Sequence, residues 1–231
     1  MNIDKIVHKI SLLHSTDIET PTNFKLAEEI INGLPVDWKN PDLKILDPSC
    51  GRGTFLLALI KKLEQYGHSR LHIIGNMIYG ADVSKVQYMI AMKSLRMADS
   101  PGALASVMTN HIEQVNSLTK EWDMKFDVVV GNPPFQESKE DGERKDQASN
   151  LWSKFWAKGI KIAKPDGVVA FITPTSWLSP SADLKGKDKI NDHSRLWDVF
   201  NDYTSVANVT DVSKHFPGVG SSFGYVIVDK A

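Results

Sequence analysis

Cysteine is almost missing from this sequence. Cys50 is the only one in 231 residues, so no intrachain disulfide can form, and a reducing, cytoplasmic setting is expected. No apolar run approaches the length of a membrane span. The first ten residues carry Asp4, Lys5, His8 and Lys9, so they are not expected to be a secretory signal. An excess of positive charge is also lacking. Lys and Arg number 27 against 28 Asp and Glu, for a net charge of −1. A protein that grips nucleic acid by itself usually carries more basic character, because its affinity comes from neutralising phosphates. The seven histidines show no ligand spacing, so no metal is expected. Internal repeats are absent as well. What is present is 42% hydrophobic and 24% charged residues, the composition of one globular domain over residues 1–231 with a substantial core.

Along the chain the periodicity changes several times. Ile3, Ile6, Val7 and Ile10 fall at helical spacing. A second helix is expected to open at Thr20-Pro21, a cap followed by proline, and to bury Phe24, Ala27, Ile30, Ile31 and Leu34. Short apolar runs at 43–46, 77–81, 126–130, 168–173, 206–212 and 223–228 are strand candidates. Helical stretches at 54–63, 84–97 and 151–160 lie between some of them. Strands alternating with helices imply a mostly parallel α/β sheet. Turn chemistry at Phe216-Pro217-Gly218 and Gly220 allows an antiparallel end. Trp152, Phe155 and Trp156 form a helical aromatic stripe expected in the core. Met89, Met92 and Met97 are expected to fill core gaps. Residues 136–149, polar and of mixed charge, read as a flexible loop.

Two turns carry chemistry. The first is Asp47-Pro48-Ser49-Cys50-Gly51-Arg52-Gly53-Thr54-Phe55-Leu56. Its glycines let backbone approach a ligand at the carboxyl end of a strand. A dinucleotide fingerprint would need a third glycine where Leu56 stands, which argues against a pyrophosphate. Asp82 ends the next strand, where a carboxylate can accept from ribose hydroxyls. A ribose-bearing ligand without a diphosphate fits S-adenosylmethionine. A tight turn with a helix-capping aspartate would read the same way, so this turn alone leaves both open. Cys50 reads as a small residue filling it. The second turn is Asn132-Pro133-Pro134-Phe135. Two prolines remove amide donors, so carbonyl oxygens and the Asn132 side chain are what it offers. Asn132 Oδ1 and the Pro133 carbonyl can accept the two N–H bonds of a planar amine, while Phe135 stacks on the attached ring.

With both turns in view, the sequence resembles the N6-adenine DNA methyltransferases in which the cofactor region precedes the catalytic region (the gamma order). Glu19-Thr20-Pro21 resembles the amino-terminal segment that contacts cofactor, so that the helices of residues 1–40 would pack at the cofactor site. Asp47, Pro48, Ser49, Cys50, Gly51, Gly53, Phe55 and Leu56 match the first glycine-rich motif. Asp82 matches the ribose-binding acid, with Val83 beside it. Asn132 to Phe135 match the catalytic tetrapeptide, Asn132 also facing the cofactor. Phe216 matches an aromatic that would pack with Phe135 on a flipped base. The resemblance implies a Rossmann-like class I methyltransferase fold, α/β. Its sheet would have seven strands, mostly parallel with an antiparallel last strand, and helices on both faces. It also implies S-adenosylmethionine as cofactor and DNA as partner.

Two departures stand out. Asn116 falls where the family usually has an acid that accepts from the cofactor adenine's amine; its amide oxygen can still accept that bond. No target-recognition domain follows the last strand before Ala231. Sequence reading is therefore expected from a separate domain or subunit, or from the 136–149 loop. Membrane partners are not expected, and oligomeric state is open. RNA stays open as substrate. A protein glutamine amide also suits such a pocket, though enzymes of that kind usually carry tyrosine after the prolines. A non-catalytic, methyltransferase-like subunit is the third alternative; intact Asp82 and Asn132 to Phe135 weigh against it.

Overall fold

A computed structural model describes residues 2–13, 22–99, 111–135, 151–175, 210–215 and 223–229. The chain opens with helix α1 (Ile3–Ser11), capped by the Asn2 side chain, and α2 (Phe24–Asn32), capped by Asn23. The second helix thus begins later than the Thr20-Pro21 pattern suggests. The Asn23 side-chain oxygen Oδ1 takes the otherwise orphaned Lys25 N–H at 2.9 Å, the usual service of an Asn N-cap. Thr20 and Pro21 lie outside the described residues.

Strand β1 (Ile45–Asp47) leads through the glycine turn into α3 (Thr54–Gln65). A short helix, α4 (Arg70–His72), and a wide helical turn at Ile73–Met77 follow, a detour that no periodicity announced. Strand β2 (Ile78–Asp82), helix α5 (Lys85–Ala98), strand β3 (Ile112–Gln114) and strand β4 (Phe126–Gly131) come next. Helix α6 (Leu151–Ile162), β5 (Ala163–Pro174), β6 (Thr210–Asp211) and β7 (Phe223–Asp229) complete the described elements.

The seven strands lie in the order β3-β2-β1-β4-β5-β7-β6. Strands β1 to β5 pair in parallel, and β7 runs antiparallel to both β5 and β6. This is the expected class of sheet with its reversed last strand. Alternation along each strand sorts the side chains to two faces. Ile45, Val128, Val130, Ala170, Ile172 and Ile227 face the layer containing α1, α2, α3 and α5. Leu46, Val129, Val169, Phe171, Val226 and Val228 face α6.

There Trp152, Phe155 and Trp156 are buried, and Trp156 meets Phe171 edge-on at 5.1 Å between ring centres. The aromatic stripe is core, as its spacing indicated. The methionine expectation needs a correction. Met92 is buried and Met97 packs against the core, but Met89 is 59% exposed, on the outer side of α5. Among the described residues no helix is long and apolar enough to cross a membrane, and no cluster of potential metal ligands occurs.

Candidate functional site

Chain order and sheet order part company between β1 and β4. From β1 the chain builds outward to β2 and β3, then returns to lay β4 on the other side of β1 and continues to β5. Connections on the two sides of that point run away from each other, which opens a crevice at the carboxyl ends of the two strands. Asp47 ends β1 and Gly131 ends β4. The fold therefore sets the glycine turn beside the Asn-Pro-Pro-Phe turn.

The glycine turn is held from several directions. Gly51 and Gly53 have φ of 50° and 86°, the left-handed region where an L side chain is strained. The Cys50 N–H donates to the Ala81 carbonyl at 2.9 Å and the Gly53 N–H to the Cys50 carbonyl at 2.7 Å. Both oxygens of Asp82 are engaged: Gly51 N–H donates to Oδ2 and Ser84 N–H to Oδ1, each at 2.8 Å. Burial pushes the Asp82 carboxyl above its usual range, opposed by those two N–H groups. Ser117, two residues past Val115, donates its hydroxyl to the buried Pro48 carbonyl at 2.6 Å. Asn116 is exposed next to it, its amide oxygen accepting from Leu118 N–H at 3.0 Å.

Asp47 is 1% exposed. Burial pushes its carboxyl up to about 8, against the Ser49 N–H that donates to Oδ1 at 3.0 Å, and the nearby charge of Asp82 adds to the rise. Gly131 explains how the two turns approach so closely: a Cβ there would sit 2.6 Å from Asp47 Oδ1. Gly131→Ala should accordingly cost about 1–3 kcal/mol, the scale of overpacking in a rigid interior. Denaturant melts of the variant against wild type check this, and an unchanged midpoint would show that Asp47 moves aside freely.

Asn132 donates from Nδ2 to Thr22 Oγ1 at 3.1 Å. Its Oδ1 is buried and has no hydrogen-bond partner, and the buried Ser49 Oγ is in the same state. An unpaired buried acceptor costs roughly 1–3 kcal/mol, so its presence at this crevice suits a group that brings its own donor. Pro133 is buried and Pro134 exposed. The half-buried Phe135 ring stacks on Phe223, with centres 4.8 Å apart and planes 19° from parallel.

The structure thus brings Asp47, Pro48, Ser49, Cys50, Gly51, Gly53, Asp82, Asn116 and Asn132 to one end of the sheet. Val83 is beside them, 69% exposed. Phe55 and Leu56 are fully inside the core; Leu56 packs over Gly80, whose own Cβ would lie 3.1 Å from Leu56 Cδ1. Phe216 and residues 136–149 lie outside the described residues. Sequence reasoning missed Thr22, Phe223 and Arg52. The Arg52 guanidinium reaches the carbonyls at the end of α1, Leu13 at 2.7 Å and Ile10 at 3.5 Å. A charged residue between two glycines was a signal for it; Thr22 and Phe223 had none.

A family model described as Eco57I restriction-modification methylase matches residues 76–204. The MjaIX type I restriction enzyme methylase subunit of Methanocaldococcus jannaschii is 34% identical over 100 residues, covering 43% of this chain and 16% of that protein. The EcoEI type I methylase subunit of Escherichia coli is 24% identical over 181 residues, covering 70% of this chain and 36% of that protein. Among solved structures, the M protein of the type I restriction enzyme EcoKI superposes with a TM-score of 0.66 at 18% identity. That match covers 94% of this chain and 45% of that one. The chain therefore spans less than half the length of each of these relatives. The fold is that of the class I methyltransferases.

Proposed function

This chain belongs to the Eco57I restriction-modification methylase family, and from that membership we propose that it methylates the N6 amine of adenine in DNA, using S-adenosylmethionine and a base rotated out of the duplex. The observation that carries the reading is the buried, unpartnered Oδ1 of Asn132, next to a glycine turn at the sheet's point of reversal. Asp82, Val83, Asp47, Asn116 and the Gly51/Gly53 turn would hold the cofactor; Thr20 and Pro21 are proposed to contact it as well. When bound, S-adenosylmethionine supplies a methyl group on a positively charged sulfur.

The chain's own part is to present the amine. An aromatic amine is a weak nucleophile because its lone pair is delocalised into the ring. Asn132 Oδ1 and the Pro133 carbonyl, accepting its two N–H bonds, favour the more tetrahedral nitrogen of the transition state. The turn offers acceptors and an aromatic face but no nucleophile. The only cysteine is buried, and burial pushes its thiol well above the ordinary range, so no covalent link between base and chain is needed. Phe223 covers one face of Phe135, and a base would stack on the opposite face, with Phe216 completing the contact.

Asp82→Ala should weaken cofactor binding by about 1–3 kcal/mol, the scale of charge-assisted hydrogen bonds. The loss includes looser Gly51 and Ser84 backbone, since Asp82 holds both. Calorimetry reads it directly, and unchanged affinity would remove Asp82 from the site.

DNA reading is proposed to come from another domain or subunit. The near-zero net charge and the short share of each relative's length support this. The deciding experiment is mass spectrometry of nucleosides from DNA and from RNA after incubation with protein and cofactor. N6-methyladenine from DNA is expected. Methylation confined to RNA would move the substrate class, and transfer to neither would defeat the reading.

A further inference from the structure

Four of the seven described asparagines share a habit. Asn2, Asn23, Asn40 and Asn116 each accept, through Oδ1, the backbone N–H two residues ahead, at 2.8 to 3.0 Å. This local turn is what an asparagine does when nothing prevents it. At Asn132 it is impossible, because two residues ahead stands Pro134, which has no N–H. Pro133 offers none either. The tetrapeptide therefore keeps the Asn132 oxygen out of the backbone's reach, and it also leaves the side chain without a local anchor.

The anchor comes from 110 residues away: Nδ2 donates to Thr22 Oγ1 at 3.1 Å. A threonine hydroxyl can accept or donate, so Thr22 anchors the amide, and the donors of an incoming amine select the orientation in which the nitrogen faces Thr22. In that orientation the oxygen, buried and without a partner, points elsewhere. The terminal amide torsion is otherwise soft and nearly two-fold. A half-turn would set NH₂ donors against the donors of an incoming amine.

We propose that Thr22 is a positioning residue for Asn132, its hydroxyl anchoring the amide with the acceptor toward the substrate amine. This rests on the reading of Asn132 given above. The mount is rigid. Thr22 directly precedes the Asn23 cap of α2. That helix buries Leu26, Ala27, Ile30 and Ile31 and packs along α3, the helix that leaves the glycine turn. The position of Thr22 is thus tied to the same element that sets the cofactor turn.

The test uses Thr22→Val, which keeps the shape and removes the hydroxyl, and Thr22→Ser, which keeps the hydroxyl. Single-turnover methylation of adenine DNA at saturating cofactor should slow about tenfold in the valine variant, the effect of one hydrogen bond. It should stay within about twofold of wild type in the serine variant. Cofactor Kd should move less than about twofold in both, separating rate from binding. The inference is overturned if the valine variant turns over like wild type, if serine is as slow as valine, or if Kd shifts by the same factor as the rate. A wild-type protein that methylates no adenine defeats the functional reading and this inference together; unaltered turnover in Thr22→Val defeats the inference alone.

Discussion

Replacing Asn132 by alanine should slow methyl transfer by about a hundred- to a thousandfold while leaving cofactor affinity within about tenfold of wild type. The size follows from what is lost. Asn132 Oδ1 is buried and unpaired, and its amide nitrogen is held by Thr22, so it needs little reorganisation when charge develops on the amine. Removing one such preorganised partner of a transition state costs about that much elsewhere in enzymes. The selectivity for rate over binding follows because the interaction strengthens only as the nitrogen becomes tetrahedral. Cys50→Ala serves as the control and should retain turnover. Rapid-quench kinetics beside calorimetry separates the terms. Equal losses of rate and affinity would make Asn132 a cofactor ligand rather than a partner of the amine.

Asp47→Asn should stabilise the cofactor-free protein by roughly 2–4 kcal/mol at pH 8.5, the scale of an uncompensated buried carboxylate after local relaxation. The advantage should shrink to nothing near pH 4. Burial holds the folded carboxyl at about 8, against an ordinary value of 3.8. Between those values the folded wild type keeps a proton that the unfolded chain has released, so its stability falls as pH rises through the window. Asparagine does not titrate and escapes that fall, while its amide oxygen can still take the Ser49 N–H. Urea melts of both proteins at pH 5 and pH 8.5 measure the gap. A gap of the same size at both would mean that water or a neighbouring cation solvates the ionised carboxylate. The substitution should also weaken cofactor binding, as Asp47 is proposed to meet it.

The two chemical turns were legible because each is punctuated. Asp47 and Gly53 bracket a strand-to-helix turn that needs positive φ, and two prolines in succession admit few backbones. Their adjacency was not legible from periodicity, since nothing in the apolar runs says that β4 returns to pair with β1. The resemblance to a family supplied the number of strands and the reversed last one. Strand β3, a short edge of the sheet, reads Ile112-Glu113-Gln114, and polar edge residues hide a strand from any hydrophobic pattern. The apolar runs stop one residue before the strand ends at Asp47 and Asp82, because ladder pairing continues into charged residues (Asp47 with Gly80, Asp82 with Gln114). Met89 was read as core because flexible apolar residues usually are, and only packing reveals that its face of α5 is uncovered. Thr22 could not be found at all. Its importance lies in a partner far along the chain, and contacts of that kind leave no local mark.

The pairing of β1 with β4 has a consequence in time. The Lys44 N–H that donates to the Asp127 carboxylate at the start of this seam reaches across 83 residues. As the ribosome delivers the chain, β1, β2 and β3 can assemble among themselves, but the inner edge of β1 stays bare until Phe126–Gly131 emerges. Closing so long a loop is slow, and until it closes a central parallel strand is displayed as an open template for mispairing. The crevice therefore cannot exist until β4 has emerged and paired with β1. A nascent chain caught before that moment would carry a shaped glycine turn with no catalytic turn beside it.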